Sequence, residues 1–286
     1  MFNSTVLEVA IGLCFTFASI SLIASSLSEA LASTLKLRAN TLLDGIKAML
    51  NDHQFDGLAR DIYNNGLVNP RAPGEATTEK GLVFRPSYIE PRHFAIAMIE
   101  SVQHANGKFE DLGQKIDAIG NKQMRQLLRG MYDRAAGRVD LMQAELASWF
   151  NNGMDRVSGA YKRRSQLTCF VIALALAIAL NIDAVHLFAT LWTHPSLVAA
   201  LPGLATTGTT PFAAQTVTQT LTDLKTLPIG WERWPAWDLS LPKQLFGWFI
   251  TASSALFGAP FWFDALQKLI NLRGAGKKTT TEQPST

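Results

Sequence analysis

Three stretches of this chain are almost free of charge and long enough to cross a lipid bilayer: Val6 to Ser28, Leu167 to Trp192 and Leu245 to Phe263. Each holds about 19 to 26 residues, and a helix needs about 20 to cross roughly 30 Å of hydrocarbon. A helix buried in a soluble core keeps a polar face, which these stretches lack over most of their length. Composition agrees. Of the 286 residues 48% are hydrophobic and 17% charged, where soluble domains carry about 25% charged residues. The chain reads as an all-α integral membrane protein with three transmembrane helices and a small helical cytoplasmic domain. No sustained alternation of the kind a strand needs competes with that reading.

The first stretch differs from a secretory leader: Met1 to Leu7 carries no Lys or Arg, no convincing cleavage site follows, and Glu8 sits where the apolar run begins. It reads as a retained span. Orientation follows from the basic residues beside the spans. Lys36, Arg38 and Lys47 follow the first, Arg156, Lys162, Arg163 and Arg164 precede the second, and Lys268, Arg273, Lys277 and Lys278 follow the third. All three clusters share one side if the N-terminus is outside and the C-terminus cytoplasmic. The expected organisation is a first transmembrane helix over 1–35, a cytoplasmic helical domain over 36–166 and a second transmembrane helix over 167–192. An external, periplasmic loop over 193–242, a third transmembrane helix over 243–266 and a flexible basic cytoplasmic tail over 267–286 complete it.

Within the cytoplasmic part, Leu37, Leu42, Leu43, Ile46 and Leu50 recur on one face, predicting that the first helix runs unbroken out of the membrane. Prolines and glycines between His53 and Glu90 predict a long irregular connection. Pro91 suits the first turn of a helix to His104. From Lys122 a long helical pattern runs to the second span, with Asn151-Asn152-Gly153 as a possible kink. In the external loop, Trp231, Trp234 and Trp237 fit an aromatic belt at the outer interface, against a small packed loop as the alternative.

Catalytic signatures are absent. Gly274-Ala-Gly-Lys-Lys-Thr279 lacks the order a phosphate loop needs, because Lys278 stands where Ser or Thr must follow Gly-Lys. The five histidines and two cysteines show no metal-ligand spacing. Neither an enzyme nor a cofactor is expected, and the small net charge of +3 gives no reason to expect nucleic acid.

Polar residues in apolar spans carry more weight, since they are costly there. Glu8, Asn181, Asp183 and His186 are the membrane-embedded polar set. Counting about 1.5 Å per residue from Arg164 puts Asn181 roughly 25 Å and Asp183 about 28 Å along the span, at the outer rim. Glu29 and Asp264 sit at the inner rim, within reach of Lys162, Arg163 or Lys268 as ion pairs. Lys162, Arg163 and Arg164, with Trp231, Trp234 and Trp237, are expected to anchor the chain to headgroups. Small residues four apart, Ser21 with Ser25, Ala24 with Ser28, Ser254 with Gly258 and Ala255 with Ala259, predict close helix packing, within one chain or between copies. Pro260 predicts a kink in the third span.

Met154-Asp-Arg-Val-Ser-Gly-Ala-Tyr-Lys-Arg-Arg164, Asn181-Ile-Asp183, Leu227-Pro-Ile-Gly-Trp231 and Gly258-Ala-Pro-Phe-Trp-Phe-Asp264 together resemble a family of uncharacterised bacterial inner-membrane proteins. The resemblance extends to Arg85-Pro-Ser-Tyr88. It implies a bacterial inner (plasma) membrane setting, and no activity, cofactor or catalytic residue comes with it.

The expected function is a non-enzymatic membrane protein that self-associates into a larger assembly or scaffold, with the lipid bilayer, further copies and other membrane proteins as partners. The alternatives are a subunit of an oligomeric pore or transport component, lined by Ser19, Ser21, Thr251, Ser253 and Ser254, and an envelope or lipid enzyme acting through Asp183 and His186.

Overall fold

The computed structural model describes residues 5–103, 109–199, 217–224, 227, 229–231 and 241–275. It is all-helical, with no strand among the described residues. The chain divides into two compact units. One comprises Met1–Leu31 and Arg164–Thr286, the other Ala32–Arg163.

The first unit holds the apolar sequence. Helix α1 (Thr5–Thr34) is long and apolar enough to cross a membrane by itself. The second apolar stretch is two helices, the end of α7 (Val139–Ala179) and α8 (Ala184–Thr193), bent by 53° at the break. The third is also two, α11 (Leu241–Ser254) and α12 (Ala259–Ala275), joined by a single 3-10 turn (Ala255–Phe257) and bent by 97°. One helix thus meets the length and hydropathy of a span, or up to three if each bent pair counts as one. Two short helices, α9 (Ser196–Ala199) and α10 (Val217–Leu224), lie between. Where an irregular external loop was expected, Thr220, Leu224 and Leu227 are buried, the two leucines in one apolar cluster with Ile11, Phe15, Ile20, Leu187 and Ala252.

Both bends fall at a residue with a positive φ. Asn181 takes a left-handed conformation (φ 45°), which breaks the α7 ladder; Asn is among the few side chains that tolerate it. Gly258 has φ 80°, open to glycine at no steric cost. Pro260 then stands in the first turn of α12, where its missing N–H costs nothing. The proline expected to kink a helix instead helps to start one.

The second unit packs α2 (Leu37–Met49), α3 (Leu58–Asn64), α4 (Pro91–Gln103), α5 (Leu112–Asp117), α6 (Lys122–Ala135) and the first part of α7 around one core. Leu43, Ile46, Tyr63, Phe94, Met98, Leu146 and Phe150 are fully or almost fully buried there. Phe94 stacks on Phe150 at 4.0 Å between centroids. Two expectations of unbroken helices fail here. Lys36 sits at φ 51° and separates α1 from α2; Ala136 at φ 50° and Gly137 at φ 83° separate α6 from α7. Conversely α7 runs straight through Asn151-Asn152-Gly153. Gly153 serves close packing, because a β-carbon there would collide with Met49.

The long connection from α2 to α4, with α3 within it, is irregular in trace over most of its length yet firmly held. Asp52, buried, accepts hydrogen bonds from the backbone N–H groups of Asp56, Gly57 and Ala59 at 2.9–3.1 Å. Asn64 exchanges two bonds with the backbone of Ala76, and Asn69 donates to Phe84 O. Glu79 accepts from Lys47 at 2.6 Å and lies 3.6 Å from Arg85, which donates to Asn40. These ties from α2 fix residues 79–90, which form one wall of the cleft described below.

Candidate functional site: two polar knots and a cleft

Breaking a helix frees the last carbonyls of one half and the first N–H groups of the other, and in an apolar setting each needs a partner. At the α7–α8 break local backbone bonds from Asn181 N–H to Ile178 O and from Ile182 N–H to Ala177 O are joined by side chains, several of them brought from afar. Trp231 donates its indole N–H to Ile178 O and Ala179 O at 3.1 and 3.2 Å. Thr251 donates to Ile182 O at 2.8 Å. Asp183 caps α8, accepting from the N–H groups of Val185 and His186 at 2.8 and 3.1 Å. Asn181 binds in both directions: it donates to Gly230 O at 2.8 Å and accepts from Gln244 and Trp248 at 2.9 and 3.1 Å. Free half-helix ends are what coordinate ions in broken transporter helices. Here those ends are occupied.

The elbow between α11 and α12 is closed in the same way. Trp262 donates its indole N–H to Ser254 O at 2.7 Å, Ser21 approaches the same oxygen at 3.5 Å, and Ser254 donates to Thr251 O at 2.7 Å. Trp262 also packs on Phe17 of α1 at 4.9 Å. Further along, Arg273 forms an ion pair with Glu8 at 3.2 Å. The second Glu8 oxygen is buried without a hydrogen-bond partner among the described residues, as is the Ser19 hydroxyl.

The second unit carries an open cleft of about 380 Å³. Leu42, Ile89, Phe150 and Met154 give an apolar floor; Ser87, Tyr88, Ser158 and Tyr161 set hydroxyl-bearing side chains along it, with Arg38 and Asp155 among the lining residues. Ser87 and Tyr88 come from Arg85-Pro-Ser-Tyr88, and Met154, Asp155, Ser158 and Tyr161 from the segment beginning Met154-Asp-Arg-Val. An apolar floor with a few polar groups along it is the usual make-up of a binding pocket, and the volume is near the lower end of the usual range.

The residues singled out from sequence fall into three groups. Asn181 and Asp183 meet at one knot, together with Trp231, whereas His186 is exposed and contributes its backbone N–H to Asp183. Ser21, Ala24, Ser28, Ser254, Ala255 and Ala259 are buried within the chain, Gly258 is the elbow, and Ser25 is exposed and bonds back to Leu22 O. Of the residues expected to pair at the inner rim, Lys162, Arg163, Glu29, Asp264 and Lys268 are all exposed, and Asp264 and Lys268 form no ion pair with each other. The ion pair that does form, Glu8 with Arg273, joins two residues expected at opposite ends of the spans. Trp231 is tied to backbone, which is the packed-loop alternative; Trp234 and Trp237 lie outside the described residues. Gln244, Trp248, Thr251 and Gly247 were missed as members of the knot. Among the described residues no His, Cys, Asp or Glu cluster could hold a metal ion. No protein-family model, curated protein or solved structure matches the chain.

Proposed function

We propose that this chain is a non-enzymatic component of an assembly in a bacterial inner membrane, anchored by its apolar unit and docking a protein partner through the cleft of its helical unit. The cleft carries this reading. There residues of two sequence motifs, distant along the chain, line a concave, largely apolar surface with polar groups beside it. The apolar unit supports an anchoring role: most polar side chains at its two breaks bond its own backbone, while Leu167, Val171, Phe246 and Phe249 are each more than half exposed, as lipid-facing side chains are. A pore reading needs Ser21, Thr251 and Ser254 along an axis between copies, yet these three are buried and bonded inside one chain. An enzyme acting through Asp183 and His186 needs both side chains on one substrate; the Asp183 carboxylate is engaged as a helix cap.

The test replaces Tyr88, and separately Tyr161, by a photoreactive phenylalanine analogue in the full-length protein in native membranes. The expected result is a discrete protein adduct that disappears when Ser158→Trp fills the cleft. An adduct of twice the 31.3 kDa chain mass identifies a second copy. Irradiation that yields only lipid adducts or the unmodified chain at both positions overturns the reading.

A further inference from the structure

We infer that the third apolar segment does not cross the bilayer: it enters the hydrocarbon, turns at the Gly258 elbow among the acyl chains, and leaves on the side where α1 begins. Direction along α1 sets the frame. Helix α12 runs antiparallel to it, since Trp262 packs on Phe17 and Arg273 reaches Glu8. The chain also arrives at that same end, because Leu191, at the close of α8, lies so near Gly12 that a β-carbon there would press into it. Between Leu191 and Arg273 the chain therefore leaves from and returns to the start of α1, which requires an even number of crossings. The third charge-free window supplies none.

Depth agrees. From Gly258 to Arg273 an α-helix rises about 22 Å, and from Glu8 to Ser21, which meets Ser254 beside the elbow, about 20 Å. That falls short of the roughly 30 Å of hydrocarbon. The 97° bend turns α11 across the direction of α12 instead of extending it to the far side.

The elbow's chemistry suits hydrocarbon. The Ser254 carbonyl takes the Trp262 indole N–H, and Gly258 N–H returns to Ala255 O, so two backbone groups of the turn are bonded within the chain where lipid offers no partner. Its outer surface is Leu256, Phe257 and Phe261, 46%, 64% and 49% exposed. No Lys, Arg, Asp or Glu occurs between Gln244 and Asp264. The exposed Phe246 and Phe249 carry the same apolar surface along α11. Acyl chains are the occupant that asks for apolar area with no polar counterpart. The basic residues after this segment then do not report a crossing, and Arg273 is held by Glu8.

Two measurements on the full-length protein test this. Epitope tags at the two termini are probed by protease in right-side-out and inverted vesicles; both tags digested in the same preparation is expected, and digestion in opposite preparations overturns the proposal. In a chain with Cys14 and Cys169 replaced by Ala, Phe257→Cys is spin-labelled and its collision rates with oxygen and a water-soluble nickel chelate compared. Oxygen collisions several-fold above those with nickel are expected. Nickel-dominated collisions place the elbow in water, and a label shielded from both shows it covered by protein; either outcome overturns the lipid contact.

Discussion

The Asp183 carboxylate occupies the space that a β-carbon on residue 247 would need. Gly247 thus lets α11 approach close enough for the α8 cap to sit against its backbone. In Gly247→Ala the carboxylate must move, and its bonds to the N–H groups of Val185 and His186 weaken with it. A lost cap costs on the order of 1 kcal/mol, and the displaced packing adds to it, so a loss of about 2 kcal/mol is expected. Thermal unfolding of the detergent-solubilised protein measures it. Asp183→Asn, which keeps a capping oxygen, is expected to lose less than Asp183→Ala.

Asn181 combines a backbone and a side-chain role, which two substitutions separate. Asn181→Gly keeps the left-handed conformation and loses the bonds to Gly230, Gln244 and Trp248. Asn181→Ala loses the bonds and adds the steric cost of a β-carbon at φ 45°, roughly 1 kcal/mol more. Trp248, 6% exposed, is left with an unmet indole N–H in both, at about 1–3 kcal/mol. The expected order of unfolding temperatures is native, then glycine, then alanine. Equal glycine and alanine variants would show that the conformation at 181 is not what breaks the helix.

The apolar windows were legible because charge is excluded from hydrocarbon at high cost, and that exclusion is written one residue at a time. The breaks were not. Asn181 and Gly258 each tolerate a helix or a break, and what decides is a set of partners far along the chain: Gly230, Gln244 and Trp248 lie 49, 63 and 67 residues from Asn181, and Ser254 lies 233 from Ser21. Small residues suggest close packing without naming its partner, and Ser21, Ala24, Ser28, Ser254, Ala255 and Ala259 are buried within the chain itself. The charge rule assumed that each apolar window crosses, so Arg273 was assigned to the end of the spans opposite Glu8. Asn181-Ile-Asp183 and Leu227-Pro-Ile-Gly-Trp231 were visible as motifs; that the Asn181 side chain donates to Gly230 O of the other, 49 residues away, was not.

Tyr63 is fully buried, and its hydroxyl has no hydrogen-bond partner among the described residues. Burial pushes the phenol well above its usual range, Arg85 pulling against Asp44 and Glu79, so it stays neutral at working pH. An unmet buried hydroxyl costs about 1–3 kcal/mol of desolvation, while the ring keeps its edge contact with Phe55 at 6.0 Å. Tyr63→Phe is therefore expected to be neutral or to stabilise the helical unit by up to about 1 kcal/mol. A measured loss above that amount, by chemical denaturation of the full chain, would show that the hydroxyl has a partner.

Asp52 makes the turn before α3 sensitive to acid. Burial alone raises its pKa, but the N–H bonds from Asp56, Ala59 and Gly57 outweigh burial and hold the carboxyl below its ordinary value. A carboxylate with a folded pKa below the unfolded one, about 3.9, contributes stability that is fully present above that value. The contribution is lost as pH falls through the folded pKa, once the protonated group accepts these bonds less well. Amide exchange at Asp56, Gly57 and Ala59 in the full-length protein is expected to stay slow from pH 7 down to about 4 and to accelerate below it. In Asp52→Asn the same amides exchange about tenfold faster near neutral pH, equivalent to ~1.4 kcal/mol, and this acid step disappears. If the step persists unchanged in Asp52→Asn, another carboxylate controls the turn.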